Sequence, residues 1–201
     1  MAEELCAIIA GPILGLQAPD PACGPDGSGR GAVTGEGYVD DMFTAARLQA
    51  LLSGERRFGL LHLGTHFELR PGNALRSSLL LGDGSRLTLD DIGRLDFSGL
   101  ELVTLSACQT GMGGGTLDDG REVEGLSAVV QRRGARRVIA SLWSVEDVST
   151  ARLMERFYGS LVRSGGDAAL ALHDAARALR GNAAYRHPYY WAGFFVTGDS
   201  P

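Results

Sequence analysis

In this chain of 201 residues, the stretch "LLHLGTHFELRPG" (60–72) sets two histidines, His62 and His66, within four positions of each other. A second stretch, "LVTLSACQTG" (102–111), carries a cysteine, Cys108, at the end of another apolar run. A cysteine thiolate is a strong nucleophile, and an imidazole beside it can stabilise the thiolate or carry its proton. His66 and Cys108 are 42 positions apart, so they can serve this chemistry only if the fold brings two separate segments together. The plainer alternatives are a small buried cysteine and a structural histidine. Against them, Cys108 is followed by Gln-Thr-Gly and a glycine-rich stretch, which marks an exit from the core. His62 lies inside its apolar run and reads as a core or supporting residue. Zinc held by His62 and His66 would need more ligands than the scattered acids nearby, such as Glu68, so no metal is expected.

The elements that must position these residues follow from hydrophobic spacing. "CAIIAGPILGL" begins with a run of strand length, and residues 17–37, crowded with Gly, Pro and Asp, are expected to be a flexible loop. "DDMFTAARLQALLSG" has helical spacing, with Asp40 or Asp41 as the expected cap and Gly54 as the stop. "RFGLLHLG", "ELVTLSA" and "RRVIASLW" are continuous apolar runs, the mark of strands buried on both faces. "SSLLLGDGSRLTL" reads as a hairpin turning at Gly-Asp-Gly. Helices are expected over "EVEGLSAVVQRRG", over "VEDVSTARLMERFYGSLVRSG" with Leu153, Met154, Phe157, Leu161 and Val162 on one stripe, and over "DAALALHDAARALRG". "HPYYWAGFFVTG" ends the pattern as an aromatic-rich strand. Strands and helices in this alternation predict an α/β fold, a mostly parallel central sheet flanked by helices, in a single domain over 1–201. In such sheets ligands gather at the carboxyl ends of the strands, where both His66 and Cys108 fall.

Composition narrows the setting. Hydrophobic residues make up 44% and charged residues 21%, as in a globular protein, and a net charge of −5 argues against a nucleic-acid partner. No apolar run reaches the ~20 residues of a membrane helix, and the acidic "MAEELC" is unlike a signal peptide. Cys6, Cys23 and Cys108 are odd in number and widely spaced, so they read as free thiols of a cytoplasmic protein.

Taken with "GLSAVVQRRGARRVIASLWSVEDVSTARLMERFY" and "HPYYWAGFFVTG", these stretches resemble the CHAT domain from about Val39 to Gly198. CHAT domains are caspase-like cysteine peptidase domains, commonly found with tetratricopeptide repeats in bacteria. The resemblance implies a caspase/separase-type fold, a His66–Cys108 dyad, no cofactor, a protein substrate, and a regulatory or tetratricopeptide-repeat partner. It also implies an oxyanion hole from the backbone N–H groups of Phe67 and Cys108, although the family more often has Gly after the catalytic histidine. Ser106 is placed among the substrate-binding residues, and Ser141 and Trp143 belong to a segment, Ser141–Val145, that resembles a substrate-pairing strand. Core packing is the alternative for Trp143. Asp147 of "LWSVED" would give the pocket a preference for a basic residue before the cut, with a helix cap as its alternative. The early part of the domain looks short for the family, which implies either an N-terminally truncated chain or a split version with a partner. Two rivals remain at this point: a caspase-like scaffold without activity, and a nucleotide-binding domain cradling phosphate on "GMGGGTLDDG". The second is weakened because the helical pattern begins only near Glu122 and no acid ends "RRVIASLW".

Overall fold

An apolar run such as Leu60–Gly64 has no polar face to turn toward water, so it needs cover on both sides. The computed structural model describes residues 6–10, 35–54, 58–70, 73, 76–106, 125–144 and 146–199. Its strands are β1 (Cys6–Ala10), β2 (Gly35–Tyr38), β3 (Leu60–Gly64), β4 (Phe67–Glu68), β5 (Ser78–Leu80), β6 (Arg86–Thr88), β7 (Leu102–Ser106), β8 (Arg137–Ser141) and β9 (Phe194–Gly198). The helices are α1 (Ala45–Ser53), α2 (Leu89–Ile92), α3 (Leu126–Arg132), α4 (Asp147–Arg163) and α5 (Ala168–Gly181). Six strands form one sheet in the order β2-β1-β3-β7-β8-β9, parallel throughout except for β9, which runs antiparallel to β8. A small antiparallel sheet, β4-β5-β6, hangs from the end of β3.

Alternation along the central strands divides the core in two. Leu61 and Leu63 of β3, with Val103 and Leu105 of β7, face a layer built from α1, α2, α3 and the small sheet. Leu60, Leu102 and Ile139 face the other way, onto Leu153, Phe157, Leu161 and the inner side of α5. Among the described residues no helix is long and apolar enough to cross a membrane.

Several expectations need correction. Gly35–Tyr38 is a strand, not part of a loop reaching residue 37; it pairs with β1 through backbone hydrogen bonds, so no hydrophobic alternation announced it. The rest of that loop, 17–34, lies outside the described residues. Helix α1 starts later than expected, because Asp40–Met42 forms a short 3-10 turn and Thr44 is the cap, its hydroxyl accepting from the Arg47 N–H at 3.2 Å. On α4, Val162 is 57% exposed, and the buried stripe takes Tyr158 instead.

Tyr158 is the one large polar side chain of α4 driven into the α5-side layer, and it is accommodated by polar residues of the sheet. Its hydroxyl donates to Thr104 Oγ1 at 2.9 Å and lies 3.2 Å from His62 Nδ1, while His62 Nε2 lies 2.8 Å from Ser106 Oγ. Both ring nitrogens of His62 are therefore engaged, and which of them donates depends on the tautomer. His62 is 2% exposed and its register neighbour on β7 is Thr104. Buried polar groups of this kind are destabilising when left unpaired, so the network locks β3, β7 and α4 into one arrangement.

Two predictions follow from this packing. Tyr158→Phe removes the hydroxyl that links His62 to Thr104 and should lower unfolding stability by about 1–3 kcal/mol in urea titration; a change within experimental error would mean the network is not coupled to folding. Gly134 closes α3 at φ 112°, and a Cβ there would stand 2.5 Å from Ser98 Oγ. Gly134→Ala should therefore cost at least about 1–3 kcal/mol, read as a lowered melting temperature, whereas Gly181→Ala, in open space, should not.

Candidate active site

The carboxyl end of the parallel sheet is where the chemistry-bearing residues gather. Register pairs Gly64, the last residue of β3, with Ser106, the last residue of β7. His66 follows the first of these by two residues, and Cys108 follows the second by two. Cys108 itself lies outside the described residues, as does the whole segment 107–124 with its glycine-rich stretch.

Local bonding fixes the histidine end of the site. The Thr65 hydroxyl donates to the Leu80 carbonyl at 2.6 Å, and the Leu80 N–H donates to the His66 carbonyl at 2.8 Å. The backbone of His66 is thus tied to β5 while its side chain is exposed. Phe67 opposes Leu79 in the same antiparallel pair, with its ring buried in the core. Because the 66–80 pair carries the hydrogen bond, alternation turns the Phe67 N–H away from β5. That amide is directed out of the β4–β5 pair, and the burial of the phenyl ring holds it there.

The two histidines have separate stations. His62 faces inward, onto Tyr158 and Ser106; His66 faces solvent beyond the strand. Ser106 is partly exposed and holds His62 Nε2, so it connects the buried network to the strand end from which the chain continues toward Cys108. No group of three or more His, Cys, Asp or Glu among the described residues is arranged to hold a metal ion.

The third part of the site is the exit from β8. Ser141 is fully buried and opposes Phe194 of β9, and the Leu142 N–H donates to the Gly193 carbonyl at 2.9 Å. Strand β9 covers one edge of β8 as far as Leu142. Trp143 is half-buried, and its indole N–H donates to the Tyr189 carbonyl at 3.2 Å, tying the segment to the 3-10 turn Pro188–Tyr190. Val145 lies outside the described residues. The cap of α4 is Glu146, whose carboxylate accepts from the Ser149 N–H at 2.7 Å. Asp147, the first residue of the helix, is exposed and makes no hydrogen bond or ion pair with a described residue, so the capping role considered for it belongs to its neighbour. Sequence patterning did not reveal the Tyr158–Thr104 pair; a tyrosine on an otherwise apolar helical stripe, opposite a threonine and histidine on strands, was the available signal.

Residues 27–199 match the family model of the CHAT domain. Tetratricopeptide repeat protein 28 of Mus musculus is 32% identical over 113 residues, which is 56% of this chain and 4% of the mouse protein. The Homo sapiens protein of the same name is 32% identical over 100 residues, 50% of this chain and 4% of its own length. Among solved structures, that of the Arg-specific cysteine proteinase gingipain R superposes with a TM-score of 0.56 at 14% identity, covering 98% of this chain and 46% of that one. The complex of the Porphyromonas gingivalis RgpB pro- and mature domains gives 0.58 at 13% identity, over 98% of this chain and 47% of the other. At such identities the superpositions speak to the fold, which is the caspase-like one of these proteinases. With the family model spanning most of its length, the chain belongs to the CHAT domain family.

Proposed function

We propose that the chain is a cysteine endopeptidase that cuts a protein substrate through His66 and Cys108, after a basic residue of that substrate. The observation that carries this reading is the β3–β7 register: Gly64 and Ser106 are opposite one another, and each is followed two residues later by one member of the pair. In the reaction, the Cys108 thiolate attacks the scissile carbonyl carbon, and the carbonyl π electrons move onto oxygen to give a tetrahedral oxyanion. The N–H groups of Phe67 and Cys108 stabilise that charge. As the oxyanion collapses, the C–N bond breaks and His66 gives its proton to the leaving amine. Water, deprotonated by His66, then cleaves the thioester and restores the thiolate. The outward-turned Phe67 amide supports the oxyanion role, since it needs no glycine in its place.

The preference for a basic residue rests on Asp147. Its carboxylate is not engaged in capping α4, and it stands just past the β8 exit, where Trp143 is anchored. A guanidinium can pair with such a carboxylate in bidentate fashion, which favours Arg. Gingipain R, which shares the fold, is described as Arg specific. Ser106 ends β7, which stands between β3 and β8 in the sheet, and it contacts the substrate in this reading.

Two outcomes are expected. His66→Ala and Cys108→Ala should each abolish cleavage of fluorogenic peptides with unchanged melting temperature, since members of a catalytic unit each remove nearly all activity. His62→Ala should instead lower stability; normal turnover by Cys108→Ala would end the peptidase reading. In a peptide panel varying the residue before the cut, Arg should exceed Leu by roughly tenfold or more, the effect of one well-formed charge-assisted pair. Asp147→Ala should erase that preference while leaving the melting temperature in place. A preference for Leu or Met would remove Asp147 from the pocket.

A further inference from the structure

Arginines are used unevenly over this acidic molecule. Residues 152–186 hold six arginines and three acids, whereas the rest of the chain holds thirteen basic and twenty-one acidic residues. Elsewhere Arg70 and Arg86 pair with Glu68, Arg94 with Asp90 and Asp91, and Arg136 and Arg137 with Glu101, while Arg47 lies over the Tyr38 ring and Arg133 donates to the Leu95 carbonyl. In the 152–186 segment, Arg152 and Arg156 make no ion pair with any described residue, and both are exposed. They line a cleft between α4 and the end of α5, together with Asn182, Tyr185, Ala178 and Leu179. The Arg152 guanidinium lies over the Tyr185 ring, 5.4 Å from its centroid.

The position of this cleft matters as much as its charge. Helix α4 begins at the carboxyl end of β8, and α5 returns antiparallel, so the α5 terminus lies at the same end of the molecule as His66. A run of aromatic contacts joins the cleft to the exit from β8. Tyr185 meets Tyr190 edge-on at 5.5 Å, Tyr190 meets Tyr189 at 5.3 Å, and the Tyr189 carbonyl holds the Trp143 indole.

We propose that this cleft is a docking site for an acidic segment of the protein substrate, bound at a distance from the cut. The proposal rests on the peptidase reading for the identity of the occupant, and on the cleft alone for its chemistry. Two adjacent guanidiniums select carboxylates, and the Tyr185 ring keeps Arg152 extended. The floor of Ala178 and Leu179 suits an apolar side chain next to the acid. Glu155, on the rim, and the net charge of −5 both disfavour a nucleic acid, whose charge is continuous. Binding remote from the reacting bond would raise substrate encounter and kcat/KM without altering the choice of residue at the cut.

The test uses the full chain carrying Cys108→Ala and a fluorescein-labelled peptide of Glu-Glu-Leu repeats, read by anisotropy. Arg152→Glu/Arg156→Glu should weaken binding by about tenfold or more, two exposed charge pairs being lost and reversed. Arg76→Glu/Arg163→Glu makes the same change in net charge elsewhere and should leave binding within about twofold. Should the first variant fold poorly, Arg152→Gln/Arg156→Gln serves the same purpose. Equal loss from both pairs, loss from neither, or displacement of the peptide by an equal concentration of oligothymidylate would overturn the proposal. A second arm compares kcat/KM for a cleavable peptide with and without the acidic tail, using the unmodified dyad. If the untailed peptide is cut and the tail confers no advantage, the docking site fails and the peptidase reading stands. If neither peptide is cut while the anisotropy difference holds, the peptidase reading fails and the cleft remains an acid-peptide site.

Discussion

Parallel pairing of β3 with β7 is the constraint on which the rest of this structure depends. Parallel neighbours end at the same edge of a sheet, so the segments that leave them begin side by side whatever the length of chain between. Here the last residues of the two strands, Gly64 and Ser106, are partners in the register. A shift by one residue would turn Leu61 and Leu63 out of one core layer and into the other, displacing Leu60 and His62 at the same time. The hydrophobic cores on the two faces thus hold the register, and the register sets where His66 stands.

The polar network under the sheet adds specificity to that arrangement. Apolar packing tolerates small slides and exchanges of similar side chains, whereas Tyr158, Thr104, His62 and Ser106 satisfy one another at one alignment of β3, β7 and α4. This network ends at Ser106, the last residue of β7 before the chain passes toward Cys108. The buried histidine supports the strand end, and the exposed one stands beyond it. A similar division holds past β8, where Glu146 caps α4 and frees the carboxylate of Asp147.

Much of this was legible in the sequence because it depends on period. The runs of β3, β7 and β8 announced two-faced burial, the Gly-Asp-Gly turn announced the β5–β6 hairpin, and Asp167 announced α5, whose first free N–H groups it caps. What stayed hidden depends on partners remote in sequence. Strand β2 is made by backbone bonds to β1 and carries no pattern of its own. The cap of α4 fell to Glu146 and not its acidic neighbour, a choice of one residue that spacing cannot resolve. The burial of Ser141 follows from β9 turning back antiparallel, and the inward turn of Tyr158 follows from Thr104 and His62 waiting on the sheet. The candidate residues His66 and Cys108 rest on chemistry and strand-end position, and the structure describes the first of them.

The central claim is that the register brings the His66 imidazole to the Cys108 thiol. The most direct measurement is the rate of Cys108 alkylation by iodoacetamide as a function of pH, followed by peptide mapping against Cys6 and Cys23. A thiolate stabilised by the imidazolium persists in mild acid, so Cys108 should react readily at about pH 5.5, and the other two cysteines should not. His66→Ala should return Cys108 to the behaviour of an ordinary thiol, with its reaction lost below about pH 7. Equal slow labelling of all three cysteines in the unaltered chain, or a Cys108 profile indifferent to His66→Ala, would contradict the account.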